Sequence, residues 1–222
     1  MHENDRLSYV SAMRLREDEL FVQRMTQELP RNLKSNLSRV DLNLKDAPIR
    51  LRCPVDEVCS TPVNPEDPAI EKIRKALTRQ SEAGNMDALA LPLGLGDHVD
   101  HLTVRAAALP FTEASLPSAF YEDLPYAAYP GTPANLETPR PATDERNAPL
   151  TAVLCRSDAA AERKQRLILA YASQIDEDTA TLVSSFATRY GGAERLWANA
   201  AWLAMAESTQ LSVPGPDDSA KF

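Results

Sequence analysis

Two of the three histidines in this 222-residue chain, His98 and His101, lie within LPLGLGDHVDHLTVRAAA, residues 91–108. They are interleaved with Asp97 and Asp100 and preceded by Gly94 and Gly96. Imidazole is the commonest metal ligand and titrates near neutrality, and a neighbouring carboxylate can fix which ring nitrogen carries the proton. Three residues apart on the first turn of a helix, the two rings fall on one side. The stretch therefore reads as a metal or acid–base site in which Asp100 orients one imidazole. The competing reading is of two half-exposed histidines at a helix N-terminus with Asp97 as the N-cap. A zinc site takes roughly three or four protein ligands. This stretch offers one or two, and the remaining histidine, His2, sits at the N-terminal end. Gly94-x-Gly96 by itself is a weak phosphate signal, and a plain tight turn accounts for it.

The elements that must position these groups follow from periodicity and punctuation. Residues 7–29 are rich in helix formers and are closed by Pro30. VDLNLKDAPIRL alternates Val40, Leu42 and Leu44 with Asp41, Asn43 and Lys45, the period of a strand. CPVDEVCSTPVNPEDP holds four prolines in sixteen residues and reads as a loop. Asp67-Pro68 opens an amphipathic helix with Ile70, Ile73 and Leu77 on one face. A strand over Asp87–Leu91, a glycine loop and a helix from about His98 to Ala108 come next. SAFYEDLPYAAYP reads as strand and loop, and TAVLCR as a strand. Helices follow from near Ser157, through Leu182–Tyr190 to the stop at Gly191-Gly192, and over Leu196, Trp197 and Trp202. Strands alternating with helices predict an α/β layered fold. One domain is expected over residues 1–210, with a proline-rich loop at 130–149 and a flexible tail at 211–222.

Composition narrows the function. Apolar residues make up 43% of the chain, enough for a substantial core. The net charge is −8 and the pI about 5.0, which disfavours a phosphate-backbone partner, so no nucleic acid is expected. No run approaches the roughly 18–20 apolar residues of a membrane span. Met1 is followed by His2, Glu3, Asn4, Asp5 and Arg6, unlike a signal peptide, and the expected compartment is the cytoplasm. Cys53, Cys59 and Cys155 read as reduced thiols, with a Cys53–Cys59 disulfide as the minor option.

GLGDHVDHLTVRAA resembles the second signature of the PIG-L/LmbE family of zinc-dependent N-acetylglucosaminyl deacetylases, a His-x-Asp-His before an alanine-rich helix. Other stretches are similar to family segments in the same order. Arg14-Leu15-Arg16-Glu17-Asp18 is similar to its Arg-x-x-Glu-Asp helix, and Asp46-Ala47-Pro48-Ile49-Arg50 to its Asp-Ala-Pro-x-Arg segment. Tyr121-Glu122-Asp123-Leu124-Pro125-Tyr126 resembles a Tyr-Glu-Asp-x-Pro-Tyr run. Lys164 through Tyr171-Ala172-Ser173-Gln174 resembles a late Lys…Tyr-x-Ser-Gln helix, and Glu194-Arg195-Leu196-Trp197 a terminal Glu-Arg-x-Trp. Together they cover most of residues 7–197. The family's His-Pro-Asp-Asp-Glu motif, which ends its first strand and carries two zinc ligands and the general base, has no counterpart here. The resemblance thus implies a Rossmann-like, mostly parallel sheet flanked by helices, lacking the first strand–helix unit.

Carried over residue by residue, the resemblance makes His101 a zinc ligand. His98 becomes the histidine that stabilises the tetrahedral intermediate or acts as acid, and Asp100 its orienting partner. Arg50 becomes a substrate contact. Glu122, Asp123 and Tyr126 either line the same cleft or form a strand end with a buried tyrosine. Arg14–Glu17 reads as a structural ion pair and Trp197 as core. The implied cofactor is zinc in an incomplete site, since one histidine holds the metal weakly. The implied ligand is an N-acetylated sugar or glycoconjugate, and a homo-oligomer or a complementing chain is a possible partner. The expected function is that of a deacetylase-family protein, inactive or weak as this chain alone. The alternative is a non-catalytic remnant that binds a sugar or a protein.

Overall fold

The computed structural model describes residues 3–29, 31, 34, 37–113, 116–130, 150–156 and 160–212. Helix α1 spans Glu3–Glu28, and the short α2 spans Ala47–Leu51. α3 (Pro68–Glu82) begins as its sequence demands: Pro68 takes the first position and the Asp67 carboxylate accepts the Ala69 N–H at 2.9 Å. Strand β1 (Leu89–Pro92), helix α4 (Val99–Glu113) and strand β2 (Ser118–Tyr121) form a β–α–β unit in which β1 and β2 pair in parallel. Pro110 inside α4 cannot donate to the Ala106 carbonyl, and Arg74 of α3 donates to that oxygen instead, at 3.4 Å. Beyond β3 (Thr151–Cys155) come α5 (Ala160–Ile168), α6 (Glu177–Ala187), β4 (Glu194–Ala198) and α7 (Ala200–Ser212).

The chain is α/β, with one open sheet of order β1-β2-β4-β3 flanked by helices. The expected mostly parallel pairing is corrected here. β1–β2 is parallel, whereas β2–β4 and β3–β4 are antiparallel, so the sheet is mixed. A parallel neighbour needs a crossover like α4. β4 instead leaves α6 through a 3-10 turn and Gly191, which takes a left-handed φ of 62°, and it runs opposite to both its neighbours.

Two local expectations also change. The alternating segment 40–45 forms no strand. Asn43 N–H donates to the Asp41 side chain at 2.6 Å, and Asn43 turns to φ 48°, so a side-chain turn displaces extended backbone. The helix expected over Leu196–Trp202 divides into β4 and α7 at Asn199. Its side-chain oxygen accepts the Trp202 N–H at 2.9 Å as an N-cap, and accepts the Ser118 N–H at 3.0 Å from β2. The proline-rich loop, from residue 131 to 149, and the tail from residue 213 lie outside the described residues.

The principal core is Leu91, Leu93, Ala108, Phe120 and Trp197, between sheet and α4; Ile70 and Ile73 join Ala107 where α3 meets α4. Helix α1 meets the segment that follows α5, and Arg14 also lies 3.7 Å from Asp46. Glu17 of α1 accepts from the Ser173 backbone N–H at 2.6 Å and its hydroxyl at 2.7 Å, while Asp18 accepts from Tyr171 at 3.1 Å. Arg14 lies 3.9 Å from Glu17, which makes this a structural cluster.

Candidate active site

The chain leaves the carboxyl end of β1 through Leu93–Asp97 and enters α4 at His98. Ligand sites in open α/β sheets gather at such strand ends. Gly94 and Gly96 take φ of +86° and +78°. A Cβ on Gly96 would lie 2.5 Å from the Cβ of Tyr126, so the glycine permits a contact that a side chain would block.

His98, and not Asp97, caps α4. Its carbonyl accepts the Leu102 N–H at 3.1 Å, and its Nδ1 accepts the Asp100 N–H at 3.2 Å. Asp97 sits at φ 55° ahead of the helix. The Val99 N–H donates to Val58 at 2.9 Å, which ties the proline-rich loop 53–61 to the helix start. A ring nitrogen that accepts a backbone N–H carries no proton, so His98 is held neutral with its hydrogen on Nε2. Burial pushes its pKa down, His101 adds to the effect, and Asp100, Asp46 and Asp123 oppose it.

His101 has the opposite arrangement. Its Nδ1 lies 2.8 Å from Oδ1 of Asp123, a close charge contact without the alignment of a full hydrogen bond. Two lone pairs at that distance would repel, so Nδ1 of His101 carries a proton. The Asp123 side chain is fully buried, and its Oδ2 accepts the N–H groups of Gly94 at 2.6 Å and Leu95 at 2.9 Å. This one carboxylate thus joins the glycine loop to the histidine helix. Arg105, one turn after His101, is buried and donates to the Leu93 carbonyl at 2.6 Å. Burial lowers its pKa and Asp123 raises it.

The two imidazoles lie 5.0 Å apart, and each faces Tyr126, at 5.4 Å from His98 and 5.5 Å from His101. Burial, then the neighbouring Cys59, Tyr129, Asp100 and Asp123, push the Tyr126 hydroxyl up to about 12, so it remains a protonated donor. Side by side, therefore, stand an N–H donor at Nε2 of His98, the imidazole of His101 and an aromatic wall.

The other sequence-predicted residues divide. Asp100 is adjacent, but its carboxylate is committed elsewhere: Oδ1 to Arg50 at 2.7 Å and Oδ2 to the Ala47 N–H at 3.1 Å. It holds His98 through its backbone N–H. Arg50 bridges Asp100, Asp67 at 2.8 Å and the Lys45 carbonyl at 2.8 Å, and its Nη2 is buried without a hydrogen-bond partner. Burial works against this cation, but the hydrogen bonds from Asp67 and Asp100 outweigh it and raise its pKa. Glu122 belongs to a separate cluster. It accepts from Arg195 Nε at 2.6 Å, Trp197 Nε1 at 3.1 Å and the Tyr190 hydroxyl at 3.2 Å. Sequence reasoning missed Arg105, although its spacing of four from His101 was a usable signal. It also missed that Asp123 is the partner of His101, for which no local pattern exists.

Among the described residues, no group of three or more His, Cys, Asp or Glu is placed to hold a metal ion. His101 offers at most its Nε2. The Asp123 and Asp100 carboxylates and Nδ1 of His98 are engaged with protein groups. These residues alone do not fit a zinc centre.

No protein-family model matches the sequence, and no curated protein does. Solved structures similar to the chain include the zinc-inhibited form of teicoplanin deacetylase Orf2, with 18% identity, 62% of this chain and 55% of the other covered, and a TM-score of 0.48. A triple mutant of a deacetylase in the teicoplanin biosynthetic pathway gives 21% identity, 59% and 56% coverage and 0.46. The A40926 pseudoaglycone deacetylase Dbv21 gives 20% identity, 82% and 77% coverage and 0.45. The chain spans just over half the length of the first two. No helix among the described residues is long and apolar enough to cross a membrane.

Proposed function

We propose that the chain is a PIG-L/LmbE-like deacetylase-family protein that recognises the N-acetyl group of an N-acetylglucosamine-type sugar or glycoconjugate in the cytoplasm. The observation that carries this reading is the pair of imidazoles 5.0 Å apart and packed on Tyr126, with Nδ1 of His98 held by the Asp100 N–H and Nδ1 of His101 beside Asp123. Nε2–H of His98 donates to the acyl oxygen, where negative charge develops when an amide is attacked. The backbone cap fixes that donor in place and keeps it neutral. His101, with its Nδ1 beside Asp123, flanks the same group. Tyr126 closes the site on one side, and Arg50 supplies a cation at its edge.

By resemblance the family's chemistry is zinc-dependent hydrolysis, with His101 as one ligand. The described residues complete neither the ligand set nor the general base, so in this reading the chain alone is inactive or weak, and further ligands come from a segment or chain beyond them. A second reading, a sugar- or protein-binding module without catalysis, is favoured by the commitment of the Asp100 and Asp123 carboxylates to protein groups.

The test measures zinc after dialysis, and N-acetylglucosamine binding and hydrolysis, for the purified chain and its His101→Ala and His98→Ala variants. The expected result is sub-stoichiometric zinc, sugar binding weakened in both variants and little or no acetate release. Rapid deacetylation by the chain alone would overturn its inactivity. Absence of binding, or binding that neither variant alters, would overturn the deacetylase-family reading.

A further inference from the structure

The aromatic wall does not end at Tyr126. Tyr129 meets it edge-on, with ring centroids 6.2 Å apart and planes at 79°. Tyr129 is 42% exposed, so rings run from the half-buried histidines through Tyr126 to solvent. The far end of this ladder is held by backbone. A 3-10 turn spans Tyr126–Ala128, and the Tyr129 N–H donates to the Tyr126 carbonyl at 3.3 Å. Tyr126 is seated against Gly96. The apolar cluster at the turn is built from Ala127, Ala128 and Phe186 and does not include Tyr129.

A half-exposed aromatic ring beside a few convergent hydrogen-bonding groups suits a ligand with an apolar face and polar edges. A pyranose has that form, with C–H groups on one face and hydroxyls around the rim. The geometry points to Tyr129 as the residue that stacks the sugar ring while His98 and His101 hold the acetamide, so ring and amide are read by separate groups. The amide half rests on the function proposed above; the ring half does not.

The test titrates the purified chain, by ligand-observed NMR, with N-acetylglucosamine, methyl glucoside (ring without amide) and N-methylacetamide (amide without ring). The variants are Tyr129→Ala, Tyr129→Phe and His98→Ala. Tyr129→Ala is expected to weaken both sugars by about three- to ten-fold, the range of an aromatic contact, and to leave N-methylacetamide unchanged. Tyr129→Phe retains the ring and restores the wild-type affinities. Unchanged sugar affinity in Tyr129→Ala, with binding reduced in His98→Ala, would overturn the stacking role and leave the functional reading standing. Sugar binding lost in Tyr129→Ala but indifferent to His98→Ala would do the reverse. No sugar binding by the wild-type chain would overturn both.

Discussion

Glu122 and Asp123 are consecutive buried carboxylates at the end of β2, and they do different work. Glu122 is saturated by Arg195, Trp197 and Tyr190, and Arg195 lies over the Tyr190 and Trp197 rings at 4.6 and 4.8 Å. That cluster joins β2 to β4 and presents no free polar atom of Glu122. Asp123 gives one oxygen to two loop amides and turns the other to His101. Successive residues of extended chain point to opposite faces, so one acidic pair serves the sheet on one side and the site on the other. Adjacency in sequence is therefore a poor guide to shared function.

The comparison can be broken from either side. Glu122→Ala should have the largest effect, a loss of about 3–5 kcal/mol in urea denaturation, because Arg195 remains buried without its partner. Sugar affinity of the folded protein should stay at the wild-type value, and a selective loss of binding would place Glu122 in the site. Asp123→Asn should destabilise less, by about 1–3 kcal/mol, since an amide cannot satisfy both loop N–H groups and the imidazole. It should also change the nitrogen chemical shifts of His101, which Glu122→Ala should leave alone. Equal shifts in both variants would erase the distinction.

Asp100→Asn sharpens the account of His98. Asp100 is about one-third exposed and Arg50 keeps its pair with Asp67, so the stability change should stay within about 1 kcal/mol. The His98 nitrogen shifts should not move, because the backbone N–H that holds the ring survives. A tautomer change would show that the carboxylate orients His98 after all.

The smallest effect is on pH dependence. His98 has a folded-state pKa below its ordinary 6.5, from burial first and His101 second. The unfolded chain then binds the proton more readily, so this contribution is full above about pH 6.5 and declines as pH falls toward the folded value. Wild type should show this slope more strongly than His98→Gln in melts across that window; identical slopes would remove His98 as its source.

Much of the frame was legible because its signals are local. Pro68 after Asp67, the apolar spacing of Ile70 and Ile73, and the SAFY and TAVLC runs all appear as helix or strand where expected. The failures have local causes that act against periodicity. Asp41 captures the Asn43 N–H and cancels an alternating pattern, and Asn199 caps a helix where the apolar residues run on through Leu196 and Trp202. In the candidate site, His98 and His101 are singled out by type and spacing and Tyr126 by the resemblance, but their partners could not be read. Asp100 is two residues from His98, yet its carboxylate is taken by Arg50, fifty residues earlier. Asp123 lies twenty-two residues beyond His101 and reaches it only because α4 and β2 fold back on β1.

The two amides bound by Asp123 have a consequence for how the site moves. Binding loops are commonly drawn from the least stable parts of a protein and open readily. The Gly94 and Leu95 N–H groups instead end on a carboxylate with no exposed surface. Their hydrogens are expected to exchange slowly, with the protection of the adjoining sheet, in hydrogen-exchange measurements. A ligand arriving there meets a surface already ordered, and little of its binding energy is spent in arranging it.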